Sequence, residues 1–291
     1  MRRLELSVEQ TSAPAIERLK GARTISVCIP CRNEAATVGP IVMSIRDHLD
    51  RVVDEVLVID DGSVDDTAAV ARSAGADVVP IQQLNDRHGA GSGKGNALWA
   101  SLLASSGDVV VWCDADLTSF DPSWVCRLAQ PLLADDDVAL VKARAARPTD
   151  RGGGGRTTEL VARPLLSRFF PGLAELAQPL AGEYSGRRDV LEAIPFAEGW
   201  GVEIAMLIDI ARLCGIGSIA EVDLGRRTHR HSDLHALSVQ AAEVMSTVLG
   251  RAGVDAGQRQ ELLRPDGPPH PLNLRERPPV STLECTAHPV P

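Results

Sequence analysis

"VVVWCDADLTSF", residues 109–120, joins a run of strand-forming apolar residues to two aspartates one residue apart. A continuous β-branched run suits a strand buried on both faces. Uncompensated acids at the end of such a strand are costly, so Asp114 and Asp116 need a partner. Residues two apart on a strand share a face, and both carboxylates can then converge on one divalent cation, or on a cation and a ribose. A cation held by so few carboxylates keeps open positions for phosphate oxygens and water, which makes a nucleoside diphosphate the natural ligand.

Similar runs occur at Thr24–Pro30, Glu55–Asp60, Ala76–Ile81 and Val138–Ala145. Helix-like spacing fills the gaps: "NEAATVGPIVMSIRDHL" with Asn33 as its N-cap, "VDDTAAVARSAGA" opened by Ser63, and a third helix from Lys94 to Ala104. This alternation predicts an α/β fold, a mostly parallel Rossmann-like sheet flanked by helices, with ligands beyond the carboxyl ends of the strands. Glu34 and Asp61 fall at two such ends, where Glu34 can accept from ribose hydroxyls and Asp61 from a base.

"RHGAGSGKGNALWAS", residues 87–101, sets Lys94 among glycines ahead of a helix. A P-loop needs a glycine where His88 stands and a hydroxyl residue where Gly95 stands, so ATP cradling by that motif is excluded. What remains is a flexible loop that brings one cation to a helix start, where Lys94 can neutralise a phosphate or reach the nucleoside.

The second half differs. "PTDRGGGGR", residues 148–156, suits a hinged active-site loop or a disordered linker. Helices are expected over "TTELVARPLLSRFF", with Thr157 or Thr158 near the cap, over Gly201–Gly215 and over Asp233–Arg251; "SIAEVDLG" reads as a strand. Beyond about Asp255 the chain is rich in proline and polar residues and is expected to be an extended or disordered tail.

With 291 residues and 44% hydrophobic content the chain can bury a sizeable core, and its net charge of −9 argues against a nucleic-acid surface. The N-terminus lacks the apolar core of a secretory signal, and no stretch approaches the roughly 20 apolar residues of a membrane span, so a cytoplasmic protein without membrane partners is expected. Six cysteines in such a chain are expected to be reduced. "CIPC" (Cys28, Cys31) has redox spacing, but it continues a strand and no second pair offers a zinc site.

These motifs, with "RTISVCIPCRNEAATV", "GKGNALWASLLASSGDVVVWCDADL", "GGGRTTELVARPLL", "QPLAGEY", "GVEIAMLIDIARLCG" and "LGRRTHRH", resemble GT-A glycosyltransferases related to family 2. In particular they resemble the retaining glucosyl-3-phosphoglycerate synthases, over about Ala22 to Gly250. The resemblance implies a metal-dependent transfer of glucose from UDP- or GDP-glucose to 3-phosphoglycerate, with Mg2+ or Mn2+, by a homodimer. It implies a nucleotide-sugar-binding half at 1–145, an acceptor and metal-histidine half at 146–254, and the tail at 255–291. Pro30, Cys31, Arg32, Glu34, Asp61, Gly62 and Lys94 would line the nucleoside pocket, with Asp114 and Ala115 at the ribose. Asp116 and His229 would hold the cation. Gly155, Arg156, Thr158 and Arg227 would hold the acceptor, whose guanidinium partners suit a phosphate and a carboxylate. Glu203 would orient the sugar or act on it directly.

The chain departs from the family at Trp200, in place of a tyrosine, and at His231, in place of an asparagine, both in the acceptor region. Cys31-Arg32 and Asp61 also differ, and Asp61 suits a base that donates hydrogen bonds, as guanine does. A different small acidic acceptor is therefore an alternative. A sugar-phosphate nucleotidyltransferase would carry a glycine-rich basic signature near the first strand, which "PCRNEAATV" lacks; a degenerate binding protein would not need Asp114, Asp116, His229 and Lys94 together.

Overall fold

The computed structural model describes residues 1–146, 155–227, 233–255, 260–265 and 267–283. The strands are β1 (Arg2–Leu4), β2 (Ile25–Cys31), β3 (Glu55–Asp60), β4 (Asp77–Pro80), β5 (Val109–Trp112), β6 (Leu140–Ala146), β7 (Tyr184–Arg187), β8 (Phe196–Ala197), β9 (Ile219–Arg226), β10 (Glu261–Leu262), β11 (His270–Pro271) and β12 (Glu276–Arg277). Among the described residues eight of them form one sheet in the order β1-β9-β6-β7-β5-β2-β3-β4. Only β7 runs antiparallel to its neighbours, β5 and β6. From β2 the chain proceeds to β3 and β4 on one side, then crosses back to place β5 on the other. The carboxyl ends of β2 and β5 thus flank a topological switch point, where open α/β sheets leave a crevice.

Strand alternation divides the core. Val27, Ile29 and Cys31 face one layer, which includes α1 (Ala13–Lys20), α2 (Val38–Leu49), α3 (Thr67–Ser73) and α6 (Ser123–Ala134). Cys28, Leu57, Val110 and Trp112 face the other, built on α5 (Lys94–Ala104), α7 (Arg163–Phe169), α8 (Arg188–Leu191), α9 (Val202–Cys214) and α10 (Leu234–Arg251). A smaller cluster joins α4 (Ile81–His88) to α5. The split settles the Cys28/Cys31 pair: three residues apart on a strand, the thiols point to opposite faces of the sheet, both are buried, and no disulfide joins them.

Three local expectations are corrected. Helix α2 starts at Val38, not after Asn33; Asn33 instead takes a left-handed backbone (φ +58°), and its Oδ1 accepts from Val64 N at 2.8 Å. Ser63 does not open α3, which starts at Thr67; its Oγ accepts from Asn33 N at 3.0 Å. These short polar side chains tie the loops after β2 and β3 together, a use that competes with helix capping. Finally, β5 stops at Trp112, so Asp114 and Asp116 lie in the irregular turn beyond it and do not share a face by strand period.

The expectation of an extended or disordered tail beyond about Asp255 is corrected in its described part, which is packed against the rest of the protein. Strand β12 pairs antiparallel with β8, and Trp99 Nε1 donates to Pro278 O at 2.8 Å. β8 also explains a glycine: a Cβ on Gly95 would sit 1.7 Å from Ala197 O. Alanine for an exposed helical glycine gains about 1 kcal/mol, but here the obstacle is backbone, so overpacking wins and Gly95→Ala should destabilise the protein by about 1–3 kcal/mol. A denaturant midpoint at or above the wild-type value would contradict this packing.

Candidate active site

A cavity of about 840 Å3 opens at the switch point. Pro30, Cys31, Arg32 and Glu34 reach it from the end of β2, Asp61 from β3, and Asp114, Ala115 and Asp116 from β5. Lys94 enters from the first residue of α5, Glu203 from the first turn of α9, and Arg227 from just beyond β9. Gly155, Arg156, Thr158 and Trp200 also line the cavity. Of the expected site residues that are described, Gly62 alone is not in the lining; its φ of +71° turns the chain after Asp61. His229, His231 and residues 148–154 of the glycine loop lie outside the described residues.

Lys94 stands at the centre of the charges. Its Nζ is 2.8 Å from Asp114 Oδ1 and 2.8 Å from Glu203 Oε1. Burial disfavours the ammonium, but Asp114 and Glu203 outweigh it and hold Lys94 well above the ordinary lysine pKa. Asp114 is shared: its Oδ2 takes Arg227 Nη2 at 2.6 Å, and the same nitrogen lies 2.8 Å from Glu183 Oε1. Arg227, expected at the acceptor, is thus buried (5% exposed) and braces the first aspartate while lining the cavity.

Asp116 contrasts with Asp114. It has no ion pair among the described residues, and burial, then the charge of Asp114, raises its carboxyl above the usual aspartate range. A divalent cation would relieve both costs, and a lone hard carboxylate oxygen beside open space suits Mg2+ or Mn2+. Among the described residues no group of three or more His, Cys, Asp or Glu side chains could hold a metal ion.

On the nucleoside side, Arg32 Nη1 lies 3.8 Å from Asp61 Oδ2, and burial raises the Asp61 carboxyl. Glu34 N donates to Thr67 Oγ1 at 2.8 Å, which ties the loop after β2 to the first residue of α3. Opposite, Thr157 Oγ1 donates to Gln240 Oε1 at 3.1 Å and links the Gly155–Thr158 turn to α10.

Several buried or cavity-lining polar residues escaped sequence reasoning. Lys142 on β6 is 1% exposed; its Nζ donates to Ala181 O at 2.7 Å and lies 4.0 Å over the Tyr184 ring. The one available signal was a lysine inside the apolar run "VALVKARA". Glu243 on α10 accepts from Trp200 N at 2.7 Å and Asn273 N at 2.8 Å, and His270, Pro271 and Asn273 of the tail line the cavity.

Burial pushes the Lys142 amine down to about 7, although Glu203 pulls the other way. Unfolded, the amine keeps its proton to about pH 10.4. Between those values the unfolded chain binds more protons, so the stability contributed by Lys142 rises with pH, and its penalty is fully present below pH 7. Lys142→Met should therefore gain most on the wild type near pH 6 and lose that advantage towards pH 10. Parallel urea midpoints across this range would refute the assignment.

A doubly wound sheet with paired aspartates and a lysine converging at its switch-point crevice defines a nucleotide-dependent transferase of the GT-A class. The family model for Glycosyl transferase family 2 matches residues 26–194. The glucosyl-3-phosphoglycerate synthase of Mycolicibacterium paratuberculosis is 42% identical over 92% of this chain and 87% of its own length. That of Petrotoga mobilis is 44% identical over 78% and 73%. The crystal structure of the Mycobacterium tuberculosis synthase with Mn2+, UDP-glucose and phosphoglyceric acid superposes with a TM-score of 0.89 at 40% identity, covering 97% of this chain and 98% of that one. The same enzyme with Mn2+, UDP and glucosyl-3-phosphoglycerate gives 0.87 at 41% identity over 97% and 99%. The chain belongs to the glucosyl-3-phosphoglycerate synthase family within the family 2 glycosyltransferases.

Proposed function

We infer that this protein transfers glucose from UDP-glucose to 3-phosphoglycerate, giving glucosyl-3-phosphoglycerate, with Mn2+ or Mg2+ as cofactor. The observation that carries the reading is Lys94 bridging Asp114 and Glu203 at the switch-point crevice, in a fold shared with a synthase crystallised with Mn2+, UDP-glucose and phosphoglyceric acid. The relatives' complexes contain uridine nucleotides, which favours UDP over GDP as the donor.

Pro30, Cys31, Arg32, Glu34 and Asp61 bind the nucleoside, with Gly62 shaping the turn behind Asp61 and Asp114 and Ala115 at the ribose. Asp116, with His229, would hold the cation, which when bound supplies charge neutralisation at the diphosphate. Lys94 keeps its proton and presents a fixed positive charge where the leaving diphosphate gathers negative charge, a placement that costs no reorganisation during the reaction. The acceptor hydroxyl oxygen bonds to the anomeric carbon as the bond from that carbon to the diphosphate oxygen breaks. The electron pair leaves on that oxygen, which takes the acceptor's proton, and the new bond forms on the same face with retention. Glu203 Oε1 is already engaged by Lys94, which supports a positioning role at the sugar over direct attack. Gly155, Arg156, Thr158 and Arg227 hold the acceptor's phosphate and carboxylate, with Trp200 in the same lining, and His231 would be a further acceptor-binding residue.

Among the described residues no helix is long and apolar enough to cross a membrane. The cysteines Cys28, Cys31, Cys113, Cys126 and Cys214 are free thiols, which supports a reducing, cytoplasmic location. Exposed Leu160 and Leu234, on elements that pack together, support a homodimer, which sedimentation equilibrium would check.

The test is incubation with UDP-glucose, 3-phosphoglycerate and MnCl2, with the product resolved by mass spectrometry and NMR. An α-linked glucosyl-3-phosphoglycerate is expected. UDP release with another acceptor and none with 3-phosphoglycerate would overturn the named product and point to Trp200 and His231 as the cause.

A further inference from the structure

The loop that carries Lys94 is held from a part of the chain about 180 residues away. Arg277 is 5% exposed and spends its guanidinium on this loop and the helices beside it. Its Nε donates to Asn96 Oδ1 at 2.7 Å, Nη1 to His88 O at 3.0 Å, and Nη2 to Gly89 O at 2.7 Å and Asn85 Oδ1 at 2.9 Å. Four residues before it, Asn273 Nδ2 donates to Ser92 O at 2.8 Å and Ser92 Oγ at 3.2 Å. Contacts from the C-terminal segment therefore fall on both sides of Lys94.

The glycines of "GAGSGKG" match this clamp. A Cβ on Gly91 would sit 2.0 Å from Arg277 Nη2, and one on Gly93 would sit 2.9 Å from Glu198 O. Glu198, 3% exposed, receives Arg275 Nη2 at 2.9 Å, and its carbonyl accepts from Asn96 N at 3.2 Å. Glycines there admit close approach of the clamp, and the loop gains from it the order that its composition lacks.

We propose that the C-terminal segment around Asn273–Arg277 is a clamp that sets the position of Lys94, with Arg277 as a positioning residue for the donor-diphosphate step. The fork of an arginine is suited to this, since one planar group reaches two carbonyls and two side-chain amides at once. The inference rests on Lys94 acting on the donor, and donor binding can be read without any acceptor.

The experiment compares wild type, Arg277→Gln, Arg277→Lys and Asn273→Ala, with far-UV circular dichroism as the check on folding. Calorimetric titration with UDP in MnCl2 and steady-state rates with UDP-glucose are the readouts. Arg277→Gln is expected to weaken UDP binding at least five-fold and to lower kcat/KM for UDP-glucose ten-fold or more, leaving KM for 3-phosphoglycerate unchanged. Arg277→Lys should recover part of the loss, and Asn273→Ala should move both readouts in the same direction by less. In a Lys94→Met background Arg277→Gln should add no further loss in UDP affinity, because both changes act through one group. A folded Arg277→Gln protein with wild-type UDP affinity and turnover overturns the proposal, as does a full additional loss in the Lys94→Met background. Should Arg277→Gln fail to fold, an Asn273→Ala protein with unaltered donor kinetics overturns it equally.

Discussion

Lys94→Met is expected to lower kcat by about 10²–10³-fold, the usual effect of removing one preorganised electrostatic group from a transition state. The variant loses the cation that meets the leaving diphosphate, and it also leaves Asp114 and Glu203 facing each other without the ammonium that lies 2.8 Å from each. Lys94→Arg should not restore the rate, because a planar guanidinium does not replace a compact ammonium packed between two carboxylates. The wild-type rate should show no loss from Lys94 deprotonation up to pH 9, since its neighbours hold the pKa well above the ordinary lysine value. Initial rates of UDP release test both points. A Lys94→Met enzyme within three-fold of wild type would remove Lys94 from the step.

Asp116→Asn is expected to abolish measurable transfer and to weaken Mn2+ binding by more than the roughly 10–100-fold that mutating an outer-shell partner costs. Asp116 has no cationic partner among the described residues, and its carboxyl is raised by burial and by Asp114, so it ionises most readily with a cation beside it. Without metal the acid form should therefore persist to higher pH than in an ordinary aspartate, and added Mn2+ should shift the acid limb of activity downward. Electron paramagnetic resonance of bound Mn2+ reads the affinity directly. Unchanged Mn2+ binding by Asp116→Asn would move the metal elsewhere in the cavity.

Much of this was legible in residue order. The alternation of apolar runs with helical spacing encodes the layered sheet because burial on two faces demands it, and the predicted bounds of β3 and α5 match the structure to the residue. The aspartates after β5 and the lysine opening α5 were visible because a charge at the end of a buried strand, or among glycines, breaks an otherwise apolar or flexible pattern. The loops after β2 and β3 were read less well. Asn33 and Ser63 look like caps from either side, and only the hydrogen bonds from Asn33 N to Ser63 Oγ and from Val64 N to Asn33 Oδ1 show that each serves the neighbouring loop instead.

What the sequence determined by itself, then, is six of the sheet's eight strands, all but β1 and the antiparallel β7, and the chemistry of the groups at their ends, since these follow from local periodicity and residue type. Tertiary structure alone decided which charges pair. Arg227 reaches Asp114 across 113 positions, Glu243 joins Trp200 to Asn273, and Arg277 reaches Asn96 across 181. No local pattern encodes such contacts. Each partner reads as an ordinary polar residue until folding brings it into a buried setting, where an unpaired polar group is costly and the pairing becomes obligatory.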